Sequence, residues 1–72
     1  MDSEINRLGF DAWADNKFVD AIETYVFPGE GWANHETDSY SLTIRWNDKS
    51  VTCTIRAHTA SGWQVYEKQA TR

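Results

Sequence analysis

YSLTIRWNDKSVTCTIRA, residues 40–57, is the stretch whose reading decides the fold. Tyr40, Leu42, Ile44 and Trp46 alternate with Ser41, Thr43, Arg45 and Asn47. After Asn47-Asp48-Lys49-Ser50 the alternation resumes, with Val51, Cys53, Ile55 and Ala57 against Thr52, Thr54, Arg56 and His58. A period of two on both sides of a polar turn predicts an antiparallel hairpin. Pairing Trp46 with Val51 sets Ile44 against Cys53, Leu42 against Ile55 and Tyr40 against Ala57, so the apolar side chains share one face. A slip of one residue would break that match. The rest of the chain has to cover this face.

Toward the N-terminus, Asp11 can cap a main helix running to about Phe27. Ala14, Phe18, Ala21 or Ile22, and Tyr25 recur at steps of three and four, and Val19 and Val26 widen the stripe. Asp15, Asn16, Asp20, Glu23 and Thr24 fall opposite, and Pro28-Gly29 stops the helix. Before it, Asp2 or Ser3 can cap a short helix with Ile5 and Leu8 on one side, broken at Gly9. One long helix tolerating Gly9 is the alternative. Gly29–Ser39 reads as a long loop, with Trp32 folding back to plug one end of the core.

Toward the C-terminus, a three-residue turn, Thr59–Ser61, leads into a third strand, Gly62 to about Gln69. That loop length sets Trp63 opposite Ala57 and Val65 opposite Ile55, which extends the apolar face. Gln64, Tyr66 and Lys68 then join Arg56, Thr54 and Thr52 on the other side, and Ala70–Arg72 frays. A four-residue loop is the alternative, and it would invert the strand and expose Trp63. The expected architecture is a single α+β domain over residues 1–72. One main N-terminal helix, with a short one before it, packs in two layers on a three-stranded antiparallel meander.

Composition sets the class. Four Trp, three Phe and three Tyr supply large rings to a 72-residue chain that has little core to spare. The single cysteine cannot close an internal disulfide, the first residues lack the basic and apolar regions of a signal peptide, and no apolar run approaches a membrane span. A cytoplasmic protein is expected. The net charge of −4 is unevenly spread: residues 1–38 hold nine acids against two bases, residues 39–72 two acids against five bases.

Chemistry finds little support in the pattern. Cys53 sits at an inward strand position as a small hydrophobe, and His58 falls on the opposite face of the same strand. His35, Glu36, Asp38 and His58 match no zinc spacing, and the four glycines form no phosphate cradle. The expectation is a non-enzymatic protein without metal or cofactor, acting by binding. Its acidic helix and loop, Asp11, Asp15, Asp20, Glu23, Glu30, Trp32, Glu36 and Asp38, would engage a basic, nucleic-acid-binding surface of a target protein. The alternative is a nucleic-acid-binding sheet using Arg45, Arg56, Tyr66 and Lys68. An oligomerisation or accessory module, pairing copies through an open edge at 40–46 or 63–68, is a third possibility.

In size, acidity and layer order the chain resembles the small phage-encoded inhibitors of bacterial defence, anti-CRISPR proteins above all. That resemblance implies a phage protein working in the host cytoplasm, where it blocks a nucleic-acid-binding site of an effector complex. It carries no residue assignments.

Overall fold

Two helices precede four strands in the computed structural model, which describes residues 3–72. They are α1 (Ser3–Leu8), α2 (Phe10–Tyr25), β1 (Gly31–Glu36), β2 (Tyr40–Trp46), β3 (Ser50–Thr59) and β4 (Gly62–Thr71). Gly9 divides the helices: its φ of 87° lies in the left-handed region, and its N–H donates to the Ile5 carbonyl at 2.8 Å. The single-long-helix alternative is therefore excluded. Gly9 also takes the N-cap position of α2 with no side-chain cap. Asp11 therefore does not cap the helix; it is the second helical residue, in the first turn, where its carboxylate faces the positive end of the helix dipole. A capping role for Asp2 lies outside the described residues. Helix α2 ends at Tyr25, short of the expected Phe27, with the Val26 N–H donating to the Ile22 carbonyl.

The strands form one antiparallel sheet in the order β1-β2-β3-β4. Pairing of β2 with β3 matches the sequence reading residue for residue: Tyr40 with Ala57, Leu42 with Ile55, Ile44 with Cys53, Trp46 with Val51. These side chains meet Ile5, Trp13, Ala14, Phe18 and Ala21 from the helices in a single buried cluster. Trp13 rotates the buried stripe of α2 away from Val19, which stays exposed.

Two expectations are corrected. The meander has four strands, because much of the presumed loop is β1. Only Ala33 of β1 packs on the core, so the strand lacks the apolar alternation that would announce it. Gly31 is required for close approach: a Cβ there would lie 2.7 Å from the Trp46 ring. β2 is consequently an interior strand, and the open edges are β1 and β4.

The second correction is the register of β4. Thr59 pairs with Gly62, leaving Ala60 and Ser61 as a two-residue turn. Trp63 therefore faces His58 and Val65 faces Arg56, while Gln64, Tyr66 and Lys68 pair with Ala57, Ile55 and Cys53 on the helix side. Turn chemistry decided this over apolar burial. The Thr59 hydroxyl donates to the Gly62 carbonyl at 2.8 Å and accepts from the Ser61 N–H, and Gly62 takes a φ of 103°. The other two turns are tied similarly, with Thr37 Oγ1 accepting from Ser39 and Tyr40 and Asn47 Oδ1 from Lys49 and Ser50.

The chain end is held as well. β4 continues to Thr71, and the Arg72 guanidinium donates to the carbonyls of Phe27, Gly29 and Asn47. Among the described residues, no helix is long and apolar enough to cross a membrane.

Candidate binding face

Cross-strand partners point to the same side of a sheet, so the pairings give the open face row by row. Trp32, Arg45, Thr52 and Gln69 form one row; Asn34, Thr43, Thr54 and Glu67 the next; Glu36, Ser41, Arg56 and Val65 the third. His58 and Trp63 begin a fourth. No helix covers these residues, and Trp32, Trp63 and Val65 are 69%, 62% and 55% exposed. The His58 and Trp63 rings lie 5.2 Å apart, and the Thr43 hydroxyl donates to Asn34 Oδ1. Trp32 thus does not plug the core. It pairs with Arg45 on an outer strand and faces away from the helices.

Two concavities of about 310 Å³ each open toward opposite ends of this face. One is lined by Trp63, Arg56, Ser41 and Glu36, with Tyr40 and Thr37 at its rim. The other is lined by Trp32, Arg45, Glu30 and Gly31, with Trp46 and Asn47. Each brings together an indole, a guanidinium and a carboxylate. Trp63 lies outside the core, against the expectation from a three-residue turn, which would bury more apolar surface. The available signal was Thr59, which can close a shorter turn with Gly62.

Tyr66 and Lys68, expected on the open face beside Arg45 and Arg56, belong to the helix side instead. Tyr66 donates to Asp15 through its phenol, and Lys68 Nζ lies 3.4 Å from the same carboxylate and 5.5 Å from the Phe18 ring centre. The Tyr66 hydrogen bond, aided by Lys68, holds the Asp15 carboxyl below the ordinary aspartate value. Burial and the Asp15 carboxylate push the Tyr66 phenol well above the usual tyrosine range. Asp15 thus serves the layer contact between α2 and β4.

The remaining acidic candidates do not converge. Asp11, Asp20 and Glu23 are exposed along α2. Asp20 also borders a groove of about 140 Å³ between α2 and the β1–β2 side of the sheet, with Lys17, Tyr25, His35 and Tyr40. Glu30 and Asp38 lie on connections at the two ends of β1, and Glu36 and Trp32 are on the open face. The proposed acidic set is split between both layers because β1 carries part of it to the far side of the sheet.

Cys53 is fully buried, and burial pushes its thiol up to about 11, so little nucleophilic thiolate forms at neutral pH. His58 pairs with Trp63 on the other face. His35 and Glu36, adjacent in β1, likewise point to opposite sides, and among the described residues no three His, Cys, Asp or Glu side chains gather as a metal site. A scan against protein-family models gives no match, and searches of the curated proteins and of the solved structures give none either.

Proposed function

We propose that this chain is a non-enzymatic binding module that works through the open face of its sheet. One observation carries the reading: two tryptophans and a valine stay more than half exposed there, beside the exposed Arg45 and Arg56. A small chain whose core is short of apolar area gains from burying such rings, and here turn and register hold them outward. Trp and Arg are also the residues that contribute most at binding surfaces. The inert setting of Cys53 supports binding over nucleophilic catalysis.

The acidic ridge of α2 supports a second reading, an inhibitor or regulator that docks on a basic surface of a nucleic-acid-handling protein in the anti-CRISPR manner. Its specific support is the outward Asp11, Asp20 and Glu23; the only ion pair among the described residues joins Asp15 to Lys68. The two readings separate in one experiment. Tagged chain is cross-linked in the cell that makes it, and the retained material is compared for Trp32→Ala/Trp63→Ala and Asp20→Lys/Glu23→Lys. Loss in the tryptophan variant with retention in the charge-reversed one is expected. The opposite ranking would transfer function to α2.

A further inference from the structure

We propose that the open face binds a single-stranded nucleic acid, laid diagonally from Trp32 to Trp63; this rests on the open face being the working one. The register fixes the order of side chains along that diagonal. Trp32 stands beside Arg45, Thr43 beside Thr54, then Arg56, and last His58 beside Trp63. Arg45 and Arg56 thus lie on the path, and the acids Glu36 and Glu67 lie to either side of it, on β1 and β4.

The spacing fits a short strand. Three strand separations of about 4.8 Å and six residues at about 3.4 Å put the two tryptophan Cα atoms roughly 25 Å apart. That length takes about four nucleotides, the lower end of the site sizes of sheet-based single-strand binders. An indole at each end offers a stacking surface, and the two guanidiniums between them meet the phosphates. A duplex keeps its bases stacked on one another and offers no free face to either ring.

A protein partner fits this arrangement less well. Protein interfaces gather their aromatic anchors at the centre and keep the rim polar. Here the centre is Thr43, Thr54, Ser41 and Arg56, and the indoles stand at opposite corners. The carboxylates lining the two concavities add a preference. Glu30, next to Trp32, and Glu36, which faces the Trp63 concavity from β1, can accept from an exocyclic base amine, which cytosine has and thymine lacks.

The test is a fluorescence titration of the full chain with oligodeoxycytidylate or oligothymidylate of about six nucleotides, and with a duplex long enough to stay fully paired under the same conditions. Quenching of the exposed tryptophans is expected with the single strands, cytidylate binding several-fold more tightly and the duplex not measurably. Two arginine–phosphate contacts give log K a slope of about −1.4 against log salt. Trp32→Ala and Trp63→Ala should each weaken binding about tenfold. Arg45→Ala with Arg56→Ala should bring the salt slope close to zero. Unchanged melting temperatures show that these variants fold.

No quenching at millimolar strand, equal binding of duplex, or wild-type affinity in both tryptophan variants would overturn the proposal. Equal affinity for cytidylate and thymidylate would overturn the roles of Glu30 and Glu36. If the oligonucleotides do not bind while the cell-derived partner still depends on Trp32 and Trp63, the face serves a protein and only the nucleic-acid inference falls.

Discussion

The two faces of the sheet use alternate residues of the same strands, yet they are built to different ends. On the covered face Leu42, Ile44, Val51, Cys53, Ile55 and Ala57 are buried under the helices in one cluster of largely small or branched side chains. On the open face the corresponding alternate positions hold Thr43, Arg45, Thr52, Thr54 and Arg56. The tryptophans divide in the same way: Trp13 and Trp46 are buried, Trp32 and Trp63 exposed. The lesson is that aromatic content does not by itself measure a core. Where a ring goes depends on strand register, and register here follows from turns.

The sharpest way to break this comparison is to charge neighbouring residues of β2. Leu42→Asp places a carboxylate without a partner in the core, a cost of several kcal/mol that exceeds what a domain of this size can lose. Thr43→Asp on the other face should cost about 1 kcal/mol or less. Thermal melts followed by circular dichroism should show no folded state for the first variant and a near-normal transition for the second. Similar melting temperatures would erase the distinction between the faces.

The tryptophans provide a smaller but more specific contrast. Trp13→Ala should cost about 3–5 kcal/mol, since it empties the centre of the helix–sheet contact. Its ring packs edge-on against Tyr40 at 5.1 Å and lies near Phe10. Trp32→Ala and Trp63→Ala should each stay within about 0.5 kcal/mol of wild type. Denaturant titrations give these values directly. A large loss at Trp63 would mean that the ring is buried after all, as the three-residue turn would have it.

These contrasts also mark what could be read from the chain. The β2–β3 hairpin was legible to the exact partner, because two runs of strict alternation flank a turn that Asn47 closes. The break at Gly9 and a stop before Pro28 were legible from backbone chemistry, although the cap is Gly9 and not Asp11 and the helix ends at Tyr25 and not Phe27. β1 was not, because its stretch GWANHE buries only Ala33 and owes its place to pairing with β2 and to the Gly31–Trp46 contact. Nor was the facing of β4, since apolar burial and turn closure pointed in opposite directions and the Thr59 hydroxyl prevailed. The candidate site shared that fate: Arg45 and Arg56 were found on the open face, while Tyr66 and Lys68 exchanged places with Trp63 and Val65.

A still smaller effect sharpens the boundary between the layers. Asp15 has a lowered folded pKa, so its contribution is present above the unfolded value of 3.8 and is lost as pH falls through the folded one. Tyr66 has a raised folded pKa, so its contribution is complete below the unfolded value of 10.0 and is lost as pH rises through the folded value. Asp15→Asn should therefore let Tyr66 ionise at lower pH, read by tyrosinate absorbance, with binding at the open face unchanged. A tyrosine titration identical to wild type would remove the Asp15–Tyr66 link between α2 and β4.

The claim that the open sheet is the working surface is tested most directly by photo-cross-linking within the cell that makes the protein. A benzophenone side chain replaces Thr54, at the middle of the open face, or Val19, which is 52% exposed on α2. Adducts, whether to nucleic acid or to protein, are expected from position 54 and not from position 19. Adducts from position 19 alone would contradict the account and assign binding to the helix.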